Sequence, residues 1–300
     1  MSDNSGVIAG SIHPKFLLNK LSDEDYEQWQ KLIENRTGLQ LADHLRSYLQ
    51  TGLNRRMQKL NFDSYQKYLE FVTDDALGVK EWSKLVDSLT VQETQFFRHP
   101  ASYHYLEQFL NHYIEDKPDR HSIEIWSVGC SSGEESYSLA MLTEWVIDHF
   151  NSKAESKAQR KPSYGVIGTD ISLSALAKAK KATYGDRKLD LVPDSFHNNF
   201  EHKDKQIRVV KRISDRVCFA RVNILDLDRV PIRDMDVIFC QNLLIYLRKW
   251  RRKEVLNHLA ERLKVGGVIV LGLGEVTDWT HPHLRQVNSR EVLAFERYRA

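Results

Sequence analysis

The chain predicts an α/β fold: a doubly wound, mostly parallel sheet carrying a small inserted β-subdomain, preceded by a small all-helical domain. Three observations carry this expectation. From Ser22 to about Leu89, apolar residues recur at the three- and four-residue spacing of helices. Beyond Tyr113, short β-rich runs alternate with helical segments, the pattern of a parallel sheet with right-handed crossovers. The first run, Ile123-Glu124-Ile125-Trp126, breaks at Gly129 and Gly133. It resumes as a helix with Leu139, Leu142 and Val146 on one face, the strand–turn–helix unit that opens nucleotide-binding sheets.

Residues 1–15 are polar and read as a disordered leader, residues 16–89 as the helical domain and residues 90–300 as the sheet domain. Ser22 and Asp25 cap a first helix bearing Tyr26, Trp29, Leu32 and Ile33, and Gly38 stops it. Leu45, Leu49, Leu53 and Met57 stripe a second helix. Asp63 caps a third through Tyr65, Tyr68 and Leu69, and Trp82, Leu85, Val86 and Leu89 mark a fourth. A connecting helix near 103–113 leads to strands at 123–129, 164–170, 217–222, 235–240 and 267–273, and 292–297 adds an antiparallel strand. The lysine-rich stretch 150–162 reads as a surface loop. Residues 190–216 read as the inserted β-subdomain, with 206–212 alternating as one strand of a hairpin.

With 300 residues, 41% hydrophobic and 28% charged, the composition is that of an ordinary globular protein. A formal net charge of +2 gives no global attraction to nucleic acid or membrane. No apolar stretch reaches transmembrane length and the N-terminus lacks a signal core, so a cytoplasmic location without membrane insertion is expected. Cys130, Cys218 and Cys240 stand apart in apolar runs, as buried free thiols of a reducing compartment would.

Several segments offer polar groups where a sheet binds ligands. The glycine turn lets backbone approach a ligand, but its helix opens with Glu134 and Glu135. Either these are simple helix-start residues on an ordinary βα turn that suit the helix dipole, or they line a ligand site, where they would repel a pyrophosphate and favour a neutral or cationic nucleoside such as S-adenosylmethionine. Asp170, at the tip of the second strand, either grips ribose hydroxyls or caps the following helix. After the apolar run Val237-Ile238-Phe239-Cys240 come Gln241, Asn242 and Tyr246, which either face a substrate or close a strand exit. In Thr94-Gln95-Phe96-Phe97-Arg98, polar residues frame an aromatic pair at the domain junction, lining a cleft or packing as core.

Together these segments resemble the CheR family, the S-adenosylmethionine-dependent glutamate methyltransferases of chemoreceptors. The pattern W-S-x-G-C-S-x-G-E-E-x-Y-S is matched at 126–138 and T-x-F-F-R at 94–98. C-R-N-x-x-I-Y is matched at 240–246 except at Gln241, and the resemblance spans about residues 20–298. It implies a class I methyltransferase-type sheet, S-adenosylmethionine as cofactor with S-adenosylhomocysteine as product, and no metal. Cofactor contacts carried over by position fall on Gln92, Thr94, Arg98, Glu134 and Asp170, and on Asn223-Ile224 and Asn242-Leu243. Arg98 and Tyr246 are the candidates for holding the acceptor carboxylate, and Glu134 for answering the cofactor's positive charge.

The chain departs from the family pattern at three places. Gln92 stands where the family has Asn, and Gln241 replaces Arg. Gly52 occupies the second helix where the family has an active-site Arg, with Arg55 or Arg56 one turn on as substitutes. Gly52 and Gln241 keep open the reading of a poorly catalytic regulatory protein that binds S-adenosylmethionine. A class I methyltransferase acting on RNA or a small molecule is a further alternative, against which the helical first domain and the T-x-F-F-R element count.

The basic clusters Arg55-Arg56 with Lys59, and 248–253, either face the Glu-rich cytoplasmic helices of methyl-accepting chemoreceptors or form solvated surface. Aromatic residues do not alternate with these charges, so no nucleic-acid partner is expected. Some members of the family add a receptor's C-terminal tethering peptide as a strand to the inserted subdomain, beside a glycine-bearing hairpin loop. Residues 200–207 here are charged and hold no glycine, so the tethering peptide is not an expected partner.

Overall fold

The computed structural model describes residues 20–74, 76–116, 121–153 and 162–299; the leader expected at 1–15 and most of the loop expected at 150–162 lie outside them. Four helices form the N-terminal unit: α1 (Asp23–Thr37), α2 (Arg46–Leu60), α3 (Tyr65–Thr73) and α4 (Gly78–Leu89). Ser22 starts α1 by accepting the Asp25 N–H at 3.0 Å, and Gly38 ends it in the left-handed conformation at φ 79°. Ser64, not Asp63, caps α3. Its hydroxyl accepts the Lys67 N–H, while the Asp63 carboxylate is taken by the Lys67 ammonium at 3.3 Å. Trp29, Leu49, Leu53, Met57 and Tyr68 fill the core of this unit.

Gly52 is a contact between helices. A Cβ there would meet Leu89 Cδ2 of α4 at 2.6 Å, so Leu89 fills the space a side chain would need. Arg56 is no substitute for a missing cavity guanidinium. Its Nε and Nη2 donate to both Glu81 oxygens at 2.7 Å, and Tyr68 Oη adds a bond to Glu81 at 2.8 Å. Arg55 is exposed.

Helix α5 (Pro100–Glu115) leads to the sheet. In chain order follow β1 (Ser122–Val128), α6 (Glu134–Lys153), β2 (Ser163–Asp170), α7 (Leu173–Lys181), β3 (Thr183–Gly185), β4 (Phe200–Lys203), β5 (Gln206–Val209) and α8 (Lys211–Ser214). Then come β6 (Val217–Arg221), β7 (Met235–Cys240), α9 (Lys249–Ala260), β8 (Leu263–Leu271), β9 (Leu284–Gln286) and β10 (Leu293–Arg297). The large sheet runs β6-β2-β1-β7-β8-β10-β9, parallel from β6 to β8 and antiparallel from β8 through β10 to β9. Its central strand β7 is buried at every position.

The smaller sheet, β3-β5-β4, begins before residue 190 because Thr183–Gly185 joins it, a strand too short to leave a periodic pattern. The hairpin strand stops at Val209, and the expected 211–212 portion turns into α8 to feed β6. Cys130 and Cys240 are buried free thiols, but Cys218 is exposed because β6 is the sheet's edge strand. No helix among the described residues is long and apolar enough to cross a membrane.

Candidate active site

Chain order reverses across β1 and β7. From β1 the sheet grows outward to β2 and β6, then returns to β7 on the other side. A crevice opens at the carboxyl ends of strands at such a switch point. Here it is a cleft of about 1350 Å³ including its mouth, walled by Val128, Asp170 and Asn242 from the three strand ends. The helical domain contributes Thr37, Leu39 and Leu89 to the wall, a contribution that sequence patterns did not reveal. Seven non-glycine residues have positive φ among those described; Ser131 and Asn242 lie in this wall, and Phe97 stands next to Arg98. Backbone in this sparsely populated region concentrates where a site needs a particular geometry.

The turn after β1 is built on hydrogen bonds to β2. The N–H groups of Gly129 and Cys130 both donate to the Thr169 carbonyl, at 2.8 and 2.9 Å. Gly129 adopts φ 76° in the cavity wall, and a Cβ there would meet Leu243 Cδ2 at 2.9 Å. Gly133 instead lets α6 pack on Ala179 and Phe219. Asp170 accepts the Ser131 N–H at 2.8 Å and the Ser172 N–H at 2.9 Å. Ser172 caps α7, which leaves Asp170 in the wall, its carboxyl raised by burial against those two bonds.

The two glutamates that open α6 part company. Glu134 is buried outside the cavity wall, with its oxygens on Lys188 Nζ at 2.9 Å and Ser132 Oγ at 2.7 Å. Glu135 lines the cavity and accepts from Ser127 Oγ at 2.8 Å. Burial, reinforced by Glu275, pushes its carboxyl up to about 8 despite Ser127 and Arg98. Of the pair, the sequence reading chose Glu134, whereas the residue that lines the cavity is Glu135, and the only signal for it was its place as the second Glu.

Thr94, Arg98, Asn223, Ile224, Leu243 and Tyr246 all reach the wall. Arg98 Nη1 donates to the Glu93 carbonyl at 3.2 Å. Asn223 spends its amide on the Arg36 carbonyl at 2.7 Å, tying the helical domain to the cavity rim. Gln40 N–H donates to the Tyr246 carbonyl at 2.7 Å on the same rim. Burial raises the Tyr246 phenol, with Arg98 opposing, so the hydroxyl stays protonated as a donor at neutral pH. Gln92 does not reach the wall; its amide nitrogen donates to Ser172 and Ser174 at 3.1 Å, at the start of α7. Gln241 is buried and donates to Ser102 Oγ and the Leu271 carbonyl, so the residue replacing Arg joins β7 to α5 and β8. The 248–253 cluster is largely engaged within the chain. Arg248 pairs with Glu34, Arg251 with Glu254, and Arg252 donates to the carbonyls of Leu247 and Glu275.

The donor set fits a positively charged nucleoside. Three carboxylates, Glu93, Glu135 and Asp170, share the wall with the guanidinium of Arg98, whereas a phosphate site would reverse that balance. The family model described as CheR methyltransferase, SAM binding domain matches residues 92–293, and that of the CheR methyltransferase all-alpha domain matches residues 24–90. The chain is similar to the chemotaxis protein methyltransferase of Borreliella burgdorferi, 25% identical over 268 residues, covering 87% of this chain and 91% of that protein. It is 28% identical over 259 residues to chemotaxis protein methyltransferase 2 of Vibrio cholerae, covering 85% and 86% of the two chains. To the chemotaxis protein methyltransferase of Escherichia coli it is 29% identical over 262 residues, covering 85% of each.

Proposed function

This chain belongs to the CheR methyltransferase family, and on that premise we propose how its own residues carry the reaction. It is an S-adenosylmethionine-dependent protein-glutamate O-methyltransferase acting on chemoreceptors. The observation that carries the assignment of residues is the convergence of Thr94, Arg98, Asp170, Asn242 and Tyr246, from separate parts of the chain, on one cavity.

S-adenosylmethionine, when bound, would supply a methyl group on cationic sulfur to an acceptor carboxylate, the C–O bond replacing the C–S bond, with a methyl ester and S-adenosylhomocysteine as the products. The acceptor glutamate is already an anion at neutral pH, so the protein needs no general base. Its residues align the partners in a dry pocket where opposite charges cancel. Glu135 answers the cofactor's positive charge, the role Glu134 gives up to Lys188. Asp170 takes the ribose hydroxyls, and Asn223-Ile224 and Asn242-Leu243 border the base. Arg98 and Tyr246 orient the acceptor carboxylate. A tight guanidinium pair would also stabilise the ground state, so Arg98 positions more than it neutralises.

The receptor's cytoplasmic helices meet the enzyme through the N-terminal unit. Arg55 and Lys59 are exposed on α2, and Tyr48, 40% exposed, lies within electrostatic range of both Arg55 and Tyr246. The receptor's tethering peptide is not used. The β4–β5 turn is Asp204-Lys205, without glycine, and β4 presents charged Glu201 and Lys203 along its outer edge. Transfer of labelled methyl groups to receptor-bearing membranes, released by base as methanol, tests the reading.

A further inference from the structure

The inserted subdomain contributes no residue to the cavity wall, yet it grips two of the segments that form the wall, 94–98 and the turn leading into α6. Phe96 packs edge-on against Tyr184 and Phe200 with ring centroids 5.1 Å apart, and Phe97 stacks on Phe196 at 4.7 Å. On the opposite side Tyr184 Oη donates to the Ser132 carbonyl at 2.8 Å. Between them stands Lys188, in the 3-10 turn Asp186–Leu191 that follows β3. Its ammonium donates to the Thr94 carbonyl and lies 2.9 Å from Glu134 Oε1. One cation thus joins the segment bearing Thr94 and Arg98 to the first turn of α6, which bears Glu135.

We propose that Lys188 is a positioning residue for the cofactor, holding the 94–98 segment and the start of α6 at the separation that lets Thr94, Arg98 and Glu135 address one ligand. The proposal rests on the S-adenosylmethionine reading above. Its physical basis is the cost of a buried charge. The Glu134 side chain is 2% exposed, against 35% for Lys188. Without the ammonium, Glu134 keeps only the Ser132 hydroxyl, and a buried carboxylate deprived of its cation is costly enough to pull its turn toward water. Glu134 and Glu135 are consecutive in one helical turn, so a shift of the first displaces the second. The Thr94 carbonyl loses its donor in the same event.

The test is S-adenosylhomocysteine affinity by calorimetry, at a temperature where each variant is folded. Lys188→Met weakens binding about tenfold or more, the scale of a buried charge losing its partner. Lys188→Arg keeps affinity near the wild-type level, because a guanidinium still reaches both acceptors. Glu134→Gln combined with Lys188→Met falls between, since no buried charge is left unpaired while the Thr94 tie is still missing. A residue that only stabilised the fold would lower the melting temperature and leave affinity alone. Binding by Lys188→Met within about twofold of wild type overturns the proposal, as does equal weakening by the Met and Arg replacements. Should Lys188→Met not fold, the double variant carries the test, and wild-type affinity in it overturns the proposal. Failure of the wild-type protein itself to bind S-adenosylhomocysteine would strike the cofactor reading instead.

Discussion

The Asp170 carboxylate accepts the Ser131 N–H at 2.8 Å, so the residue that ends β2 also holds the left-handed turn that follows β1. Two strand ends are locked together by a group that still faces the cavity. The cavity wall and the turn geometry therefore share one side chain.

Asp170→Ala should weaken S-adenosylhomocysteine binding by roughly 1–3 kcal/mol, the cost of losing hydrogen bonds to a charged group. The fold should survive, because the position is a strand tip and α7 is capped by Ser172. Calorimetry showing unchanged affinity would remove Asp170 from the ribose site.

Tyr246→Phe should lower turnover roughly tenfold or more while leaving cofactor affinity nearly unchanged, if the phenol orients the acceptor. Steady-state rates and calorimetry on one preparation decide it. Equal losses in both would place Tyr246 against the cofactor, and no loss in either would make it a packing residue.

Glu135 makes the protein pH-sensitive in a defined direction. Its carboxyl is raised by burial from 4.5 to about 8, so across that window the folded state holds a proton that the unfolded chain has released. This contribution to stability is full below the unfolded value and is lost as pH rises through about 8. A cationic ligand favours the ionised form, so binding releases a proton and S-adenosylmethionine affinity should climb from about pH 6 to 7.5. In Glu135→Gln that rise should vanish and overall affinity fall. A rise of the same steepness in the variant would assign the proton to another group.

The outline of the site was legible because a buried parallel strand is an apolar run, and a polar residue at its end stands out. Asp170 after β2 and Asn242 after β7 stand out this way, and both line the cavity. Which of two adjacent glutamates faces a cavity is a question of helix rotation. Here it is linked to Lys188, 54 residues further on, which engages the first of them. That Gln92 lies off the wall was hidden in the same way, since its partner Ser172 is 80 residues away. Cys218 carries no local mark of exposure, because strand order alone makes β6 an edge. The three-residue strands β3 and β9 are too short for any period to register.

Titrating the isolated C-terminal peptide of a receptor into the protein should give no measurable heat. The glycine-free Asp204-Lys205 turn and the charged edge of β4 leave little for an added strand to pair with. Micromolar binding that disappears on deleting residues 200–212 would contradict this.

The chemistry of the transferred methyl group tests the central claim most directly. The protein is incubated with S-adenosylmethionine labelled in its methyl group and with membranes bearing methyl-accepting receptors; the products are then treated with base. A carboxylate acceptor predicts label on the receptor band that leaves as volatile methanol, because methyl esters hydrolyse in base. Label that stays fixed through base treatment or appears on RNA, or an absence of transfer by protein that binds S-adenosylhomocysteine, would contradict it.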